Sequence, residues 1–337
     1  MGGICCRNEI NTMKNLMDMT TPIGVWLANE LDQVSLVMSD HLKNKHKEVT
    51  AICEELAAYK GKMLRPTMLL LSWKSVSSCE TTPQAVRVAA GVVELIHLAT
   101  LVHDDILDES DLRRGAQTIN SLLGNEAAVM LGDYLLSSAF LLCSTIKNPE
   151  LNLLLGGVTN TLCVGELVQL SRRNDVDLDL ESYFQIIHDK TASLIAASCE
   201  MGAVLGNGSG REIKALKEFG SSVGMAFQIK DDLLDLLGER EIIGKPAGRD
   251  LDKGKLTLPI ITMLVENPSL KEGFQKIMSD GDRDALSALL HSTGAISSAF
   301  DRVSKMVDAA VGGVEEIIEN ESSKQLCALA KQLKSSV

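Results

Sequence analysis

Val88-Ala89-Ala90-Gly91-Val92-Val93-Glu94-Leu95-Ile96-His97-Leu98 is apolar on most faces of a helix, and soon after it the chain reads Asp104-Asp105-Ile106-Leu107-Asp108. A helix that is apolar nearly all round belongs inside a larger bundle. The stretch therefore predicts a buried central helix that ends in carboxylates. The same helical period recurs over 127–143, 151–170, 193–205 and 223–237. Thr81-Thr82-Pro83 offers an N-cap and a proline at the first turn of a helix. Alternating strand patterns bounded by hairpin turns are absent, and Gly and Pro cluster chiefly at 244–248. With no composition shift and no repeat, the reading is one all-α domain of ten or more helices over 21–337, with residues 1–20 as a peripheral segment.

The chain has 337 residues, is 45% hydrophobic and carries a formal net charge of -12. Its apolar content suffices for a sizeable core. An acidic balance without a basic block argues against nucleic acid or an anionic membrane surface as the main partner. No apolar run reads as long enough to span a bilayer, so no transmembrane segment is expected. The first residues lack a basic segment followed by an apolar stretch and a small-residue cleavage site, so secretion is not expected. The eight cysteines form no CxxC pair and sit mostly in apolar helical runs, where a thiol acts as a small hydrophobe. A reducing compartment follows, and a cytoplasmic location is expected.

The carboxylates carry the chemistry. Asp231-Asp232-Leu233-Leu234-Asp235 repeats the spacing of Asp104-Asp105-Ile106-Leu107-Asp108. On a helix, residues four apart share a face, so Asp104 and Asp108 project together, as do Asp231 and Asp235. Like charges there cost about 0.2–0.5 kcal/mol on a bare helix. Carboxylates ending an apolar run need cations or partners. Magnesium suits them, because it takes oxygen ligands, keeps several waters and bridges one or two carboxylates to phosphates. One such cluster reads as a solvated helix end. Two with identical spacing, each followed by basic residues, read as a site.

Fixed positive charge stands beside both clusters. Lys62 and Arg65 lie three apart at a predicted helix start, where backbone N–H groups favour anions. Arg113 and Arg114 follow the first cluster, while Lys190, Lys245 and Lys255 flank the second. Singly each is a surface charge; together they describe a site for two anionic ligands.

Six motifs in order then make the chain resemble the trans-isoprenyl diphosphate synthase family over about 25–335: GKxLRP at 61–66, DDxxDxxxxRRG at 104–115, GDYLL at 132–136, KT at 190–191, FQIxDDxxD at 227–235 and GKPxGxDLxxGKxTLP at 244–259. The resemblance implies an all-α bundle of the isoprenoid synthase type with a central apolar cavity, a homodimer, and magnesium. It implies that Asp104, Asp108 and Asp231 are direct ligands, with Asp105, Asp232 and Asp235 supporting the ions or their waters. It assigns Arg113, Lys190 and Lys255, with Lys245 nearby, to an allylic diphosphate. Lys62, Arg65, His97 and Arg114 go to isopentenyl diphosphate, and Thr191 and Gln228 beside the reacting carbons. His97 lies seven before Asp104, on nearly the same helical face; His103 is read as structural. Met63 departs from the family, which often carries Arg there.

The residues before Asp104 speak to product length. Thr100, Ala99 and Ile96 stand four, five and eight back, on the face expected to line a growing chain. Short-chain members of the family usually place a large side chain four or five back; Ala99 and Thr100 are small. This resembles the long-chain members and implies a product longer than twenty carbons. The alternatives are a geranylgeranyl or farnesyl diphosphate synthase and, from another class, a non-catalytic partner subunit. Such subunits typically lose aspartates from one motif, and here all six are present.

Overall fold

The run from Val88 to Ile96 is buried without a break, which is what an all-round apolar helix requires. The computed structural model describes residues 21–59, 61–237 and 248–334. Among them are sixteen α-helices. In chain order they are α1 (Pro22–Leu42), α2 (Lys47–Glu55), α3 (Leu64–Val76), α4 (Gln84–Leu107), α5 (Ile119–Leu123), α6 (Asn125–Ser144), α7 (Pro149–Ser171), α8 (Leu180–Ile187), α9 (Ser193–Leu205), α10 (Gly210–Leu237), α11 (Arg249–Asp252), α12 (Leu258–Glu266), α13 (Lys271–Asp280), α14 (Arg283–Ser292), α15 (Ala295–Glu315) and α16 (Glu321–Lys331). The all-α expectation holds. One departure is a short antiparallel hairpin, β1 (Leu112–Arg113) with β2 (Ala116–Gln117), whose turn holds Arg114 at φ 51° and Gly115 at φ 80°.

Two compact units make up the chain. The first is drawn from residues up to Thr159, from Ala197–Lys217 and from Ile317–Leu326; the second from Asn160–Ala196, from Glu218–Glu316 and from Cys327 onward. In the first unit α4 is central and packs against α1, α3 and α6. Each Val, Leu or Ile that α4 buries contributes about 1.5–3 kcal/mol. A bidentate pair from Arg87 to Glu30, at 2.7 and 3.0 Å, ties α4 to α1. The start of α4 differs from its sequence signal. Pro83 is the N-cap residue, and the Thr82 hydroxyl accepts from Trp26 Nε1 at 3.2 Å instead of capping. In the second unit α12 takes the central place, buried from Leu258 to Leu264 and packed against α8 and α15.

Three helices, α4, α6 and α7, are long and apolar enough to cross a membrane by length and composition. This corrects the expectation that no apolar run reaches that length. For α4 the protein interior accounts for the apolarity, since 72% of its most apolar window is buried. For α6 and α7 the figures are 44% and 28%, so apolar surface is left over. Val129, Met130 and Leu141 on α6 and Leu153 and Leu167 on α7 are exposed. Of the described cysteines, all are free; Cys143, Cys199 and Cys327 are buried as small hydrophobes, but Cys79 and Cys163 are exposed.

Candidate active site with two carboxylate centres

The first centre forms where α4 ends. Asp104 lies in its last turn, and Asp108 is the C-cap residue at φ -93° and ψ 1°, just outside the helix. The shared-face picture for this pair is therefore a helix-end arrangement. No basic residue occupies the last turn of α4, although a helix C-terminus carries partial negative charge and favours cations. Placing aspartates there is locally unfavourable and makes the position receptive to a cation.

Asp105 points elsewhere. It is 2% exposed, accepts the Tyr59 hydroxyl at 2.7 Å, and is met by Arg113 through Nε at 3.0 Å and Nη2 at 2.8 Å. Tyr59 in turn accepts the Ile119 amide at 3.1 Å. Burial and Asp105 raise the phenol above its ordinary range. Burial alone would lower Arg113, but its bond to Asp105 outweighs this and raises it.

Behind this lies a basic pocket. Gly61 sits against Arg114, and a Cβ there would fall 2.8 Å from the Arg114 Nη1, so the GK turn and the second arginine of the RRG motif are neighbours. Arg114 donates to the Tyr59 carbonyl at 3.3 Å. Lys62 is exposed, Met63 is the left-handed N-cap of α3 at φ 51°, and Arg65 follows in the first turn. Burial lowers the Arg65 guanidinium to about 10 against the pull of Glu94. Burial holds His97 well below the usual imidazole range, and Arg65, Arg113 and Arg114 add to the effect; the ring is neutral near pH 7. Glu94, 3% exposed, is pushed up to about 7 by burial, opposed by Arg65 and Arg114. Arg65 Nε, Glu94 Oε2 and His97 Nδ1 are buried without a hydrogen-bond partner, which suits a pocket that awaits a polar ligand. Ile96 and Ala99 are fully enclosed, and Thr100 donates to the His97 carbonyl at 2.8 Å.

The second centre forms near the end of α10, again with no basic residue in the last turn. Asp231 and Asp235 are both inside the helix, so here the shared face stands. Asp235 accepts the Asp250 amide at 3.0 Å, and Lys255 Nζ lies 3.7 Å from Asp250. Asp232 is 6% exposed and accepts from Tyr183 Oη and from Gln228 Nε2, each at 2.8 Å. Burial, then Asp250, raises its carboxyl to about 7, while the bonds from Gln228 and Tyr183 hold it down.

Lys190 and Thr191 ride on a π turn, His188–Ala192, in which the Ser193 amide reaches back five residues to the His188 carbonyl. Such turns concentrate at functional sites. Two glycines clamp it. A Cβ at Gly165 of α7 would fall 2.8 Å from the Lys190 amide nitrogen, and one at Gly224 of α10 would fall 2.6 Å from the Ala192 Cα. Backbone contact on both sides brings Thr191 to Gln228, its hydroxyl donating to Gln228 Oε1 at 2.7 Å. Lys190 meets Glu166 at 2.5 Å and Gln169 at 2.8 Å, both on α7. Lys245 lies outside the described residues.

Among the described residues, no group of three or more His, Cys, Asp or Glu side chains stands ready for a metal ion. With Asp105 and Asp232 turned to tyrosines, each centre offers a pair of hard oxygen donors at a helix C-terminus, and magnesium needs only one or two carboxylates when waters and phosphates complete its shell. Sequence reasoning missed Tyr59, Glu94, Glu166, Gln169, Tyr183 and Asp250. Of these, Glu94 carried a local signal as a lone carboxylate in an apolar run, and Asp250 lies within the motif at 244–259.

The family model described as polyprenyl synthetase matches residues 46–291. Component 2 of a heptaprenyl diphosphate synthase from Bacillus subtilis is 30% identical over 91% of this chain and 88% of its own. A short chain isoprenyl diphosphate synthase from Methanothermobacter thermautotrophicus is 37% identical over 68% of this chain and 71% of its own. The crystal structure of a polyprenyl synthase from Caulobacter crescentus, complexed with calcium and isoprenyl diphosphate, superposes with a TM-score of 0.85 at 29% identity, covering 96% of this chain and 98% of that one. The chain belongs to the polyprenyl synthetase family, a family of prenyl-transferring enzymes.

Proposed function

We propose that this chain condenses isopentenyl diphosphate with an allylic diphosphate, releases pyrophosphate, and builds a long-chain all-trans polyprenyl diphosphate. The observation that carries this reading is the pair of carboxylate centres, each at the C-terminal end of a helix with no basic residue in its last turn, beside separate basic sets. One anion needs one such set; a two-substrate transfer of diphosphates needs two.

Asp104, Asp108 and Asp231, supported by Asp235, hold magnesium. When bound, magnesium neutralises the allylic diphosphate and makes it a better leaving group. Lys190 and Lys255 hold the same diphosphate; both already face carboxylates or amides that keep them in place. Lys62, Arg65, Arg114 and neutral His97 hold isopentenyl diphosphate. Arg113, fixed by Asp105, adds positive potential to the first centre. Thr191 and Gln228 stand beside the carbon that gains charge, and the Thr191 oxygen, its proton held by Gln228, is turned toward it, which is stabilisation by a preorganised polar environment. The double bond of isopentenyl diphosphate attacks that carbon, and the proton lost afterwards goes to the departing pyrophosphate.

Long products are supported by the small Ala99 and Thr100 next to Ile96, which leave no large side chain at that depth of α4. The apolar surface left on α6 and α7 supports a homodimer. The mass in solution checks this: two chains are expected, and one chain would contradict it. The transfer itself is tested by pyrophosphate release from farnesyl and isopentenyl diphosphates with magnesium. Release should stop on chelation and fall steeply in Asp104→Asn and in Asp231→Asn. Release that survives chelation, or both substitutions, would overturn the proposal.

A further inference from the structure

The second centre contains a continuous hydrogen-bond chain that nothing in metal binding requires. Tyr183 Oη donates to Asp232 Oδ2, Gln228 Nε2 donates to Asp232 Oδ1, and Thr191 Oγ1 donates to Gln228 Oε1, at 2.8, 2.8 and 2.7 Å. Its inner members are enclosed: Tyr183 is 3% exposed, Asp232 6% and Thr191 8%. Both Asp232 oxygens serve protein donors.

The chain has a direction. Both Asp232 oxygens accept, Oδ2 from Tyr183 and Oδ1 from Gln228, which sets the nitrogen end of the Gln228 amide toward Asp232. The amide oxygen then faces Thr191 and takes the hydroxyl proton. With its proton committed, the Thr191 oxygen has only lone pairs left to present. Lone pairs are what a carbon gaining positive charge requires, and a hydroxyl free to rotate would supply them only part of the time. The backbone supports the same geometry. Gly224 stands one turn before Gln228 on α10, and its contact with Ala192 sets the distance between the π turn and the amide.

We propose that Asp232, braced by Tyr183, is a positioning residue for the transfer step and not a magnesium ligand: it fixes the direction of the Gln228–Thr191 pair so that the Thr191 oxygen faces the reacting carbon. This rests on the prenyl-transfer reading above and assigns to Asp232 a role different from support of the ions.

Three substitutions separate the roles, with kcat, KM, the half-saturating magnesium concentration, and the fraction of allylic diphosphate hydrolysed instead of condensed as readouts. Asp232→Ala removes the anchor; kcat should fall about a hundredfold, and the hydrolysed fraction should rise because the cation is held less well. Asp232→Asn keeps an oxygen that accepts from Gln228 and a nitrogen that donates to Tyr183, so it should recover all but about fivefold of kcat. Its half-saturating magnesium should stay within about twofold of the unsubstituted protein, whereas Asp231→Asn should raise that concentration strongly. If Asp232→Ala does not fold, Tyr183→Phe carries the test. It should lower kcat about fivefold and raise the hydrolysed fraction at unchanged KM and magnesium dependence. A large rise in the magnesium requirement of Asp232→Asn, or an unchanged hydrolysed fraction in the variants that fold, would overturn the inference while leaving prenyl transfer intact. An unsubstituted protein that condenses nothing would take both readings down together.

Discussion

The central aspartate of each motif accepts a hydrogen bond from a buried tyrosine, but what neutralises it differs. Asp105 is met by a guanidinium, Arg113, in a bidentate pair. Asp232 is met by a neutral amide, Gln228, and lies near a further acid, Asp250. Identical spacing thus yields an ion pair in one centre and a carboxyl held by neutral donors in the other. The difference follows from what each anchors. The first fixes a cation beside an anion pocket, where added charge is useful. The second fixes an amide and a hydroxyl, where direction matters and charge does not.

Arg113→Ala should break this contrast most visibly. It leaves Asp105 buried without its cation and should destabilise the protein by about 3 kcal/mol, read from urea unfolding. Gln228→Ala removes only a neutral donor and should cost about 1 kcal/mol. Equal losses would contradict the distinction between the two centres.

A third buried carboxyl, Glu94, sharpens the comparison because it lies in the basic pocket and is still raised to about 7. With its folded value above its ordinary 4.5, its stabilising contribution is whole below that value and is lost as pH rises through about 7. His97 acts oppositely: its folded value is depressed, so its contribution is whole above 6.5 and is lost as pH falls. Subtracting the stability of Glu94→Gln from that of the unsubstituted protein isolates the first effect. That difference should decline by up to about 3 kcal/mol from pH 4.5 to 7, and a flat difference would contradict it.

The tyrosines give the smallest but most selective contrast. Tyr59→Phe strands the Ile119 amide and takes one donor from Asp105, which keeps Arg113, and should cost about 2 kcal/mol of stability with little change in kcat. Tyr183→Phe should cost about 1 kcal/mol and register mainly in kcat. Reversed outcomes would show that the two clasps have exchanged roles.

The sequence disclosed whatever depends on helical period or on residues close in the chain. The buried α4, the paired acids of α10 and the basic residues at the start of α3 all emerged where periodicity placed them. It did not disclose partners that meet only through folding. Tyr59 and Tyr183 sit 46 and 49 residues from the aspartates that they clasp, and neither has a local pattern to mark it. Asp105 read as one more acid in a motif because only its neighbours in space show that it faces inward. The threonine–proline signal before α4 differs from the structure, where Pro83 is the N-cap residue and the Thr82 hydroxyl accepts from Trp26, far upstream. No apolar run read as long enough to span a bilayer, but α4, α6 and α7 reach that length and apolarity as folded helices.

The most direct test is the chain length of the product formed from labelled isopentenyl diphosphate and farnesyl diphosphate with magnesium. A ladder ending beyond twenty carbons is expected from two working centres and from the small side chains at Ala99 and Thr100. Products that stop at fifteen or twenty carbons, or no incorporation with any allylic primer, would contradict the account.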